Sequence, residues 1–291
     1  MRRRVLKPLL IALSLLLTGA AGAADIEGIT WLSADPLPSA DSRVGTGLGT
    51  KMVAFMKVQW PDVQHQILRA NAKRSWQMLA QGEQACHASA LRTPEREKLA
   101  YFSNTQMSPP LQLIARRDKL ALLPRNAAGE VDLARLLADP QLRGVLVDGR
   151  SYGLFIDKLL GGLPTRKTVD FYAASDYGSK IMPMLSAGRG DYTIEQDMAL
   201  SVGRELNPQM NELISLPIQG ASELLQAGVA CPRNAWGLVA IRGIDKVLGT
   251  PAGAAMLRES FERWLTPEVR QHYGARIDAF YKERAKPSVI R

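Results

Sequence analysis

The sequence predicts an α/β protein built as two lobes. Three observations carry that expectation. Short apolar runs alternate with amphipathic helical patterns along the chain, as in mainly parallel sheets covered by helices. The alternation falls into two blocks of about a hundred residues each, the size of small domains. The 291 residues are 46% hydrophobic and 22% charged, which supports a sizeable core and excludes wholesale disorder or a collagen-like chain. No internal repeat breaks the pattern.

The N-terminus stands outside that pattern. Arg2, Arg3, Arg4 and Lys7 form a basic segment, Leu9–Leu17 an apolar one, and Ala21-Gly22-Ala23 a small-x-small cleavage site. This is the order of a secretory signal, and the apolar run is short for a membrane span. Residues 1–23 are therefore expected to be a signal peptide, with the mature chain starting near Ala24 and exported as a soluble protein. Removing four basic residues leaves 33 Lys+Arg against 28 Asp+Glu, a net charge of about +5. No run of five or six basic residues exists and none is interleaved with aromatics, so nucleic acid is not an expected partner.

The first block begins with strand Gly28–Ser33. The glycines at 45, 47 and 49 precede a helix from Thr50 to Gln59, stopped by Pro61. They do not fit a phosphate loop, because Thr50 stands where glycine is needed before Lys51, and they read as a turn. Strand Val63–Leu68, helix Ala72–Ala80 and strand Ala85–Ala90 follow, and Pro109-Pro110 leads into an extended Leu111–Arg117. The second block runs through helix Val131–Leu137, strand Leu142–Val147, helix Ser151–Leu160, strand Thr168–Tyr172, helix Asp176–Ala187 and strands Tyr192–Glu195 and Leu213–Leu216. Ala235–Ile241 reads as extended. From Ile244 the pattern is helical, with no strands of its own, and is expected to pack back on the first lobe.

Five features bear on chemistry. Gly149-Arg150-Ser151-Tyr152-Gly153 matches GxSxG between a strand and a helix, the setting of a hydrolase nucleophile. His272 lies downstream but within a solvated helical pattern, and no oxyanion loop is present. The other reading makes Ser151 a helix N-cap at an anion-binding helix end. Thr93-Pro94-Glu95-Arg96 places a guanidinium just after strand Ala85–Ala90 and its Ser89, where it can take a carboxylate through two parallel hydrogen bonds. The three histidines, His65, His87 and His272, show no metal-ligand spacing, so neither metal nor cofactor is expected. The five tryptophans read as core or lobe packing, with one available to line a cleft. Cys86 and Cys231, the only cysteines, are either one bridge in an oxidising compartment or two separately buried thiols.

An ordered set of stretches resembles the solute-binding proteins of polar amino-acid ABC transporters (family 3, in an uncharacterised sub-branch). They are Leu79-Ala80-Gln81-Gly82, Ser89, Thr93-Pro94-Glu95-Arg96, Ala100-Tyr101-Phe102-Ser103, Pro110–Arg116, Leu142-Arg143-Gly144-Val145 and Leu185–Asp191. The resemblance covers nearly the whole mature chain. It implies a two-lobed periplasmic-binding-protein-like fold of type 2, with two hinge strands, Leu111–Arg117 and Ala235–Ile241, and a ligand cleft between lobes. Lobe 1 would comprise residues 24–115 with 236–291, and lobe 2 residues 116–235. It further implies that Arg96 clamps a ligand carboxylate, helped by Ser89 and by the helix end at Ser151 and Tyr152.

In the family this chain resembles, an acidic partner for a ligand ammonium stands five residues after the aspartate matched by Asp191, and this chain departs from that pattern. Gln196 occupies that position, with Glu195 and Asp197 on either side. The resulting expectation is a periplasmic, monomeric, non-enzymatic receptor for a small polar or anionic, amino-acid-like or peptide-like solute. It would serve an ABC permease, or a membrane sensor in trans. The rivals are a secreted hydrolase using Ser151, and a dehydratase on the same fold with Glu195 as its acid.

Overall fold

The computed structural model describes residues 26–33, 47–162, 168–173 and 181–290. The signal-peptide segment, Gly45 and Thr46 of the glycine turn, and the start of the helix expected from Asp176 lie outside these residues.

The first block folds as β1 (Gly28–Ser33), α1 (Leu48–Gln59), β2 (Gln64–Arg69), α2 (Ala72–Ala80), β3 (Ala85–Leu91), the single turn α3 (Pro94–Glu97) and β4 (Ala100–Ser108). The chain then crosses through Pro109-Pro110-Leu111 into the second block. There lie β5 (Gln112–Arg116), α4 (Leu133–Ala138), β6 (Gly144–Val147), α5 (Leu154–Gly161), β7 (Val169–Tyr172), α6 (Ile181–Ser186), β8 (Tyr192–Glu195), α7 (Asp197–Leu206) and β9 (Leu213–Leu216). It returns through 217–224 to β10 (Leu225–Pro232) and ends in α8 (Ala235–Leu248), α9 (Pro251–Glu262) and α10 (Pro267–Arg284).

Two five-stranded sheets result, ordered β2-β1-β3-β10-β4 and β7-β6-β8-β5-β9. β1 runs parallel to β2 and β3, and β10 antiparallel to β3 and β4. In the second sheet β6 is parallel to β7 and β8, while β5 runs antiparallel to β8 and β9. Each lobe thus ends its sheet with strands that connect to the other.

The expected hinge at Ala235–Ile241 is corrected: this segment is the first half of α8. Asn234 caps it, its side-chain oxygen accepting the Gly237 N–H at 2.7 Å. Gly237, Ala240 and Ile241 are buried on the helix's inner side and Trp236 and Val239 pack half-buried against the same core, so no polar face shows in the sequence. A Cβ on Gly237 would lie 1.8 Å from the Pro232 carbonyl oxygen, so the helix can begin this close to β10 only at a glycine. The crossings sit at 109–111 and 217–224. β5 accordingly belongs to the second sheet and β10 to the first, although the limits expected at 115 and 235 put them the other way. Strands β4 and β10 were not anticipated.

The C-terminal helices do pack on the first lobe. Ile241, Ile244, Leu248, Leu257, Phe261 and Ile277 share its core with Trp31, Met52 and Val229. Beside that core lies a buried charge cluster: Asp245 accepts from Ser103 Oγ (2.7 Å), Arg284 (3.0 Å) and the Ser288 N–H (2.6 Å). Cys86 on β3 and Cys231 on β10 are joined in a disulfide, which resolves the two cysteine readings in favour of the bridge.

Candidate functional site

Both lobes contribute to a cavity of about 220 Å³ where the chain crosses between them. The first lobe supplies Ala72, Trp76, Ser89, Leu91, Arg96, Gln106, Ser108, Leu225 and Ala227; the second supplies Arg150, Ser151, Glu195 and Gln196. This lies below the roughly 300–1,000 Å³ of sites for drug-sized molecules.

The first-lobe wall is built by two helix caps. Asn71 accepts the Arg74 N–H at 2.8 Å and starts α2, which brings Trp76 to the cavity. Thr93 accepts the Arg96 N–H at 3.3 Å, and Pro94 fixes the first position of α3, so the chain turns sharply after β3 and Arg96 faces back toward the strand ends. Its guanidinium lies 4.5 Å from the centre of the Trp76 ring, donates to the Leu91 carbonyl at 3.1 Å, and reaches across the lobes to the Gly149 carbonyl at 3.3 Å.

The second-lobe wall is the turn between β6 and α5. Gly149, at φ +74°, lies against the first lobe: a Cβ there would stand 2.7 Å from Lys73 Cα. Beside it Lys73 pairs with Asp148 at 3.0 Å. The lobes are therefore in backbone contact at this point. Arg150 grips Glu195 with both terminal nitrogens, each on its own carboxylate oxygen, and both side chains are about one-tenth exposed. Glu195 Oε1 also accepts the Gln196 N–H at 2.8 Å.

The expected site residues divide. Arg96, Ser89, Ser151 and Glu195 converge on the cavity. Tyr152 does not: its ring is buried in the second-lobe core, and its hydroxyl accepts the Val147 N–H at 2.7 Å. Burial pushes its pKa up to about 12, so it stays a neutral phenol. The N-cap role expected of Ser151 passes to Gly153, whose φ of +90° breaks the helix just before Leu154. Ser151 instead donates to Asp157, whose other oxygen accepts the Tyr152 N–H, while the Gly153 N–H donates to Ser151 Oγ. The hydroxyl is thus committed to an aspartate of the helix's first turn. His272 lines a different cavity, beside Pro109, Pro110 and Trp264, so the structure does not assemble a Ser151–His272 pair.

Arg150, Trp76, Gln106 and Ser108 were missed. Arg150 is a variable position of the GxSxG pattern, and its partner Glu195 lies 45 residues away, so the sequence carries no local signal for it.

Beneath the first-lobe wall, His87 accepts the Ser89 N–H at 3.2 Å and packs 6.0 Å from the Trp76 ring. Burial, followed by the Arg96 charge, lowers its pKa to about 3. Unfolding raises it toward 6.5, so the unfolded chain binds the extra proton between those values. Stability should therefore fall as pH drops from about 6.5 toward 3, by on the order of 1.4 kcal/mol per unit at the steepest. Thermal melts of wild type and His87→Gln from pH 7 to 4 check this: the variant should lose less stability on acidification. Parallel pH profiles would contradict it.

Solved structures with the same arrangement carry little sequence similarity to this chain. A putative L-cystine ABC transporter protein from Listeria monocytogenes matches at TM-score 0.61 with 14% identity, over 84% of this chain and 97% of that one. An ancestral arginine-binding protein bound to arginine matches at TM-score 0.60 and 14% identity, over 83% and 98%. A histidine kinase sensor domain with similarity to periplasmic binding proteins matches at 0.59 and 14%, over 82% and 96%. The fold is the two-lobed one of periplasmic binding proteins. No protein-family model and no curated protein matches the sequence. Among the described residues, no helix is long and apolar enough to cross a membrane.

Proposed function

We propose that this protein is an exported solute receptor that closes its two lobes on a small polar or anionic molecule and presents it to a membrane partner, an ABC permease. The observation that carries this reading is the inter-lobe cavity itself. It is walled by both lobes, it holds Arg96 and Arg150, and Arg96 already spans the lobes to Gly149. A ligand between the lobes would add contacts to both and favour the closed state by its differential affinity. Solved neighbours of this fold include proteins described as binding arginine and as solute receptors for L-cysteine of Neisseria gonorrhoeae, which supports a receptor role. The signal-like N-terminus supports a periplasmic location.

An enzymatic role has less support. Ser151 is bonded to Asp157, and Glu195 is held by Arg150, so neither is poised as nucleophile or acid. In this account Ser151 and Ser89 serve the cavity as polar wall residues, and Tyr152 holds the β6–α5 turn in place from below.

The test is calorimetry on whichever small carboxylate, amino acid or short peptide most stabilises the protein in a thermal-shift screen. Arg96→Ala should weaken binding by more than tenfold, about 2–4 kcal/mol. Arg96→Lys should also weaken it, because an ammonium cannot reproduce the planar fork or its stacking on Trp76. Unchanged affinity in Arg96→Ala would remove the residue from the site.

A further inference from the structure

We infer that the solute is a small carboxylate with no ammonium group, such as a hydroxy acid, keto acid or simple organic acid, rather than a zwitterionic amino acid. This rests on the reading of the inter-lobe cavity as a solute site and narrows its ligand class. A zwitterion held between closed lobes needs a cationic group for its carboxylate and an anionic group for its ammonium, because an uncompensated buried charge is costly. Among the described residues that line the cavity, Glu195 is the one carboxylate. It is already engaged: Oε1 accepts from Arg150 and from the Gln196 N–H, and Oε2 accepts from the other terminal nitrogen of Arg150. An ammonium brought to Glu195 would sit beside the Arg150 guanidinium, and like-charge repulsion at such a secluded place opposes it.

The lining points the same way. Among the described residues that face the cavity, two guanidinium groups stand against one carboxylate, so the wall offers a carboxylate more partners than it offers an ammonium. The remaining polar groups, Ser89, Gln106, Ser108 and Gln196, are neutral and suit hydroxyl or keto oxygens. The volume of about 220 Å³ suits a solute of only a few carbons.

Matched pairs differing only at the amino group test this on the wild-type protein. Titration calorimetry would compare glycine with glycolate, alanine with lactate and pyruvate, and serine with glycerate. In any pair that binds, the member without the ammonium should bind at least tenfold more tightly. Equal or tighter binding of the amino acid would overturn this inference while leaving the receptor reading intact. Binding of neither series, with no thermal stabilisation by any compound, would overturn both.

Glu195→Gln gives a second readout once its melt shows a folded protein. The carboxylate should bind the variant as tightly as wild type or up to tenfold more tightly, since the cavity wall loses a negative charge. A tenfold loss would mean that Glu195 contacts a positive group of the ligand, and would overturn the inference.

Discussion

Asp245→Ala should lower the unfolding free energy by about 3–5 kcal/mol, because it leaves the Arg284 guanidinium buried without its counter-ion. Both side chains of the pair are about 2% exposed. Burial works against the charge on Arg284, and Asp245 is what opposes that effect. The carboxylate also holds Ser103 on β4 and the backbone of Ser288 past the end of α10, so one residue fastens two C-terminal helices and the tail to the first sheet. For a protein of this size the loss corresponds to a melting temperature lower by roughly 10 °C. Replacing both partners by apolar residues, Asp245→Leu with Arg284→Met, should recover much of the loss, since no charge is then left in the core. A single variant that melts within a degree or two of wild type would show that the cluster contributes little.

The second large effect belongs to the disulfide. Cys86 and Cys231 are 145 residues apart, and the loop they close contains the entire second sheet. Chain entropy alone puts the stabilisation at about 5 kcal/mol, and measured losses for native bridges typically run about 2–5 kcal/mol. Both ends lie in the first-lobe sheet, so the bond fixes where the returning strand β10 docks without restraining the lobes against each other. The double variant Cys86→Ala/Cys231→Ala should therefore melt roughly 10 °C lower, while the folded fraction keeps its ligand affinity. A melt unchanged by the substitutions would mean that packing against β3 and β4 holds β10 unaided.

Much of the architecture was legible in the sequence because period and punctuation agree with it. The alternation of strand and helix, the helix Ala72–Ala80 and the strands Gly28–Ser33 and Tyr192–Glu195 all survive in the structure. The return to the first lobe was misplaced for a physical reason. β10 reads LQAGVACP, with small residues where branched ones are expected, because Gly228 passes so close to β4 that a Cβ would lie 2.2 Å from the Ser103 carbonyl oxygen. The apolar AWGLVAI that follows carries the branched residues a strand would show, yet Asn234 caps it as a helix. At the site, Arg96 was readable from its local turn. The engagement of Glu195 was not, because the Arg150–Glu195 pair joins residues 45 apart across the second sheet and leaves no local pattern.

The central claim is that a small solute binds between the lobes and holds them together. Hydrogen–deuterium exchange, with and without a saturating ligand from the titrations, tests it most directly. The account predicts slower exchange at 72–76 and 89–96 in the first lobe together with 149–153 and 195–197 in the second, and little change elsewhere. Protection confined to one lobe, or centred on the cavity lined by Trp264, His272 and Tyr273, would contradict it.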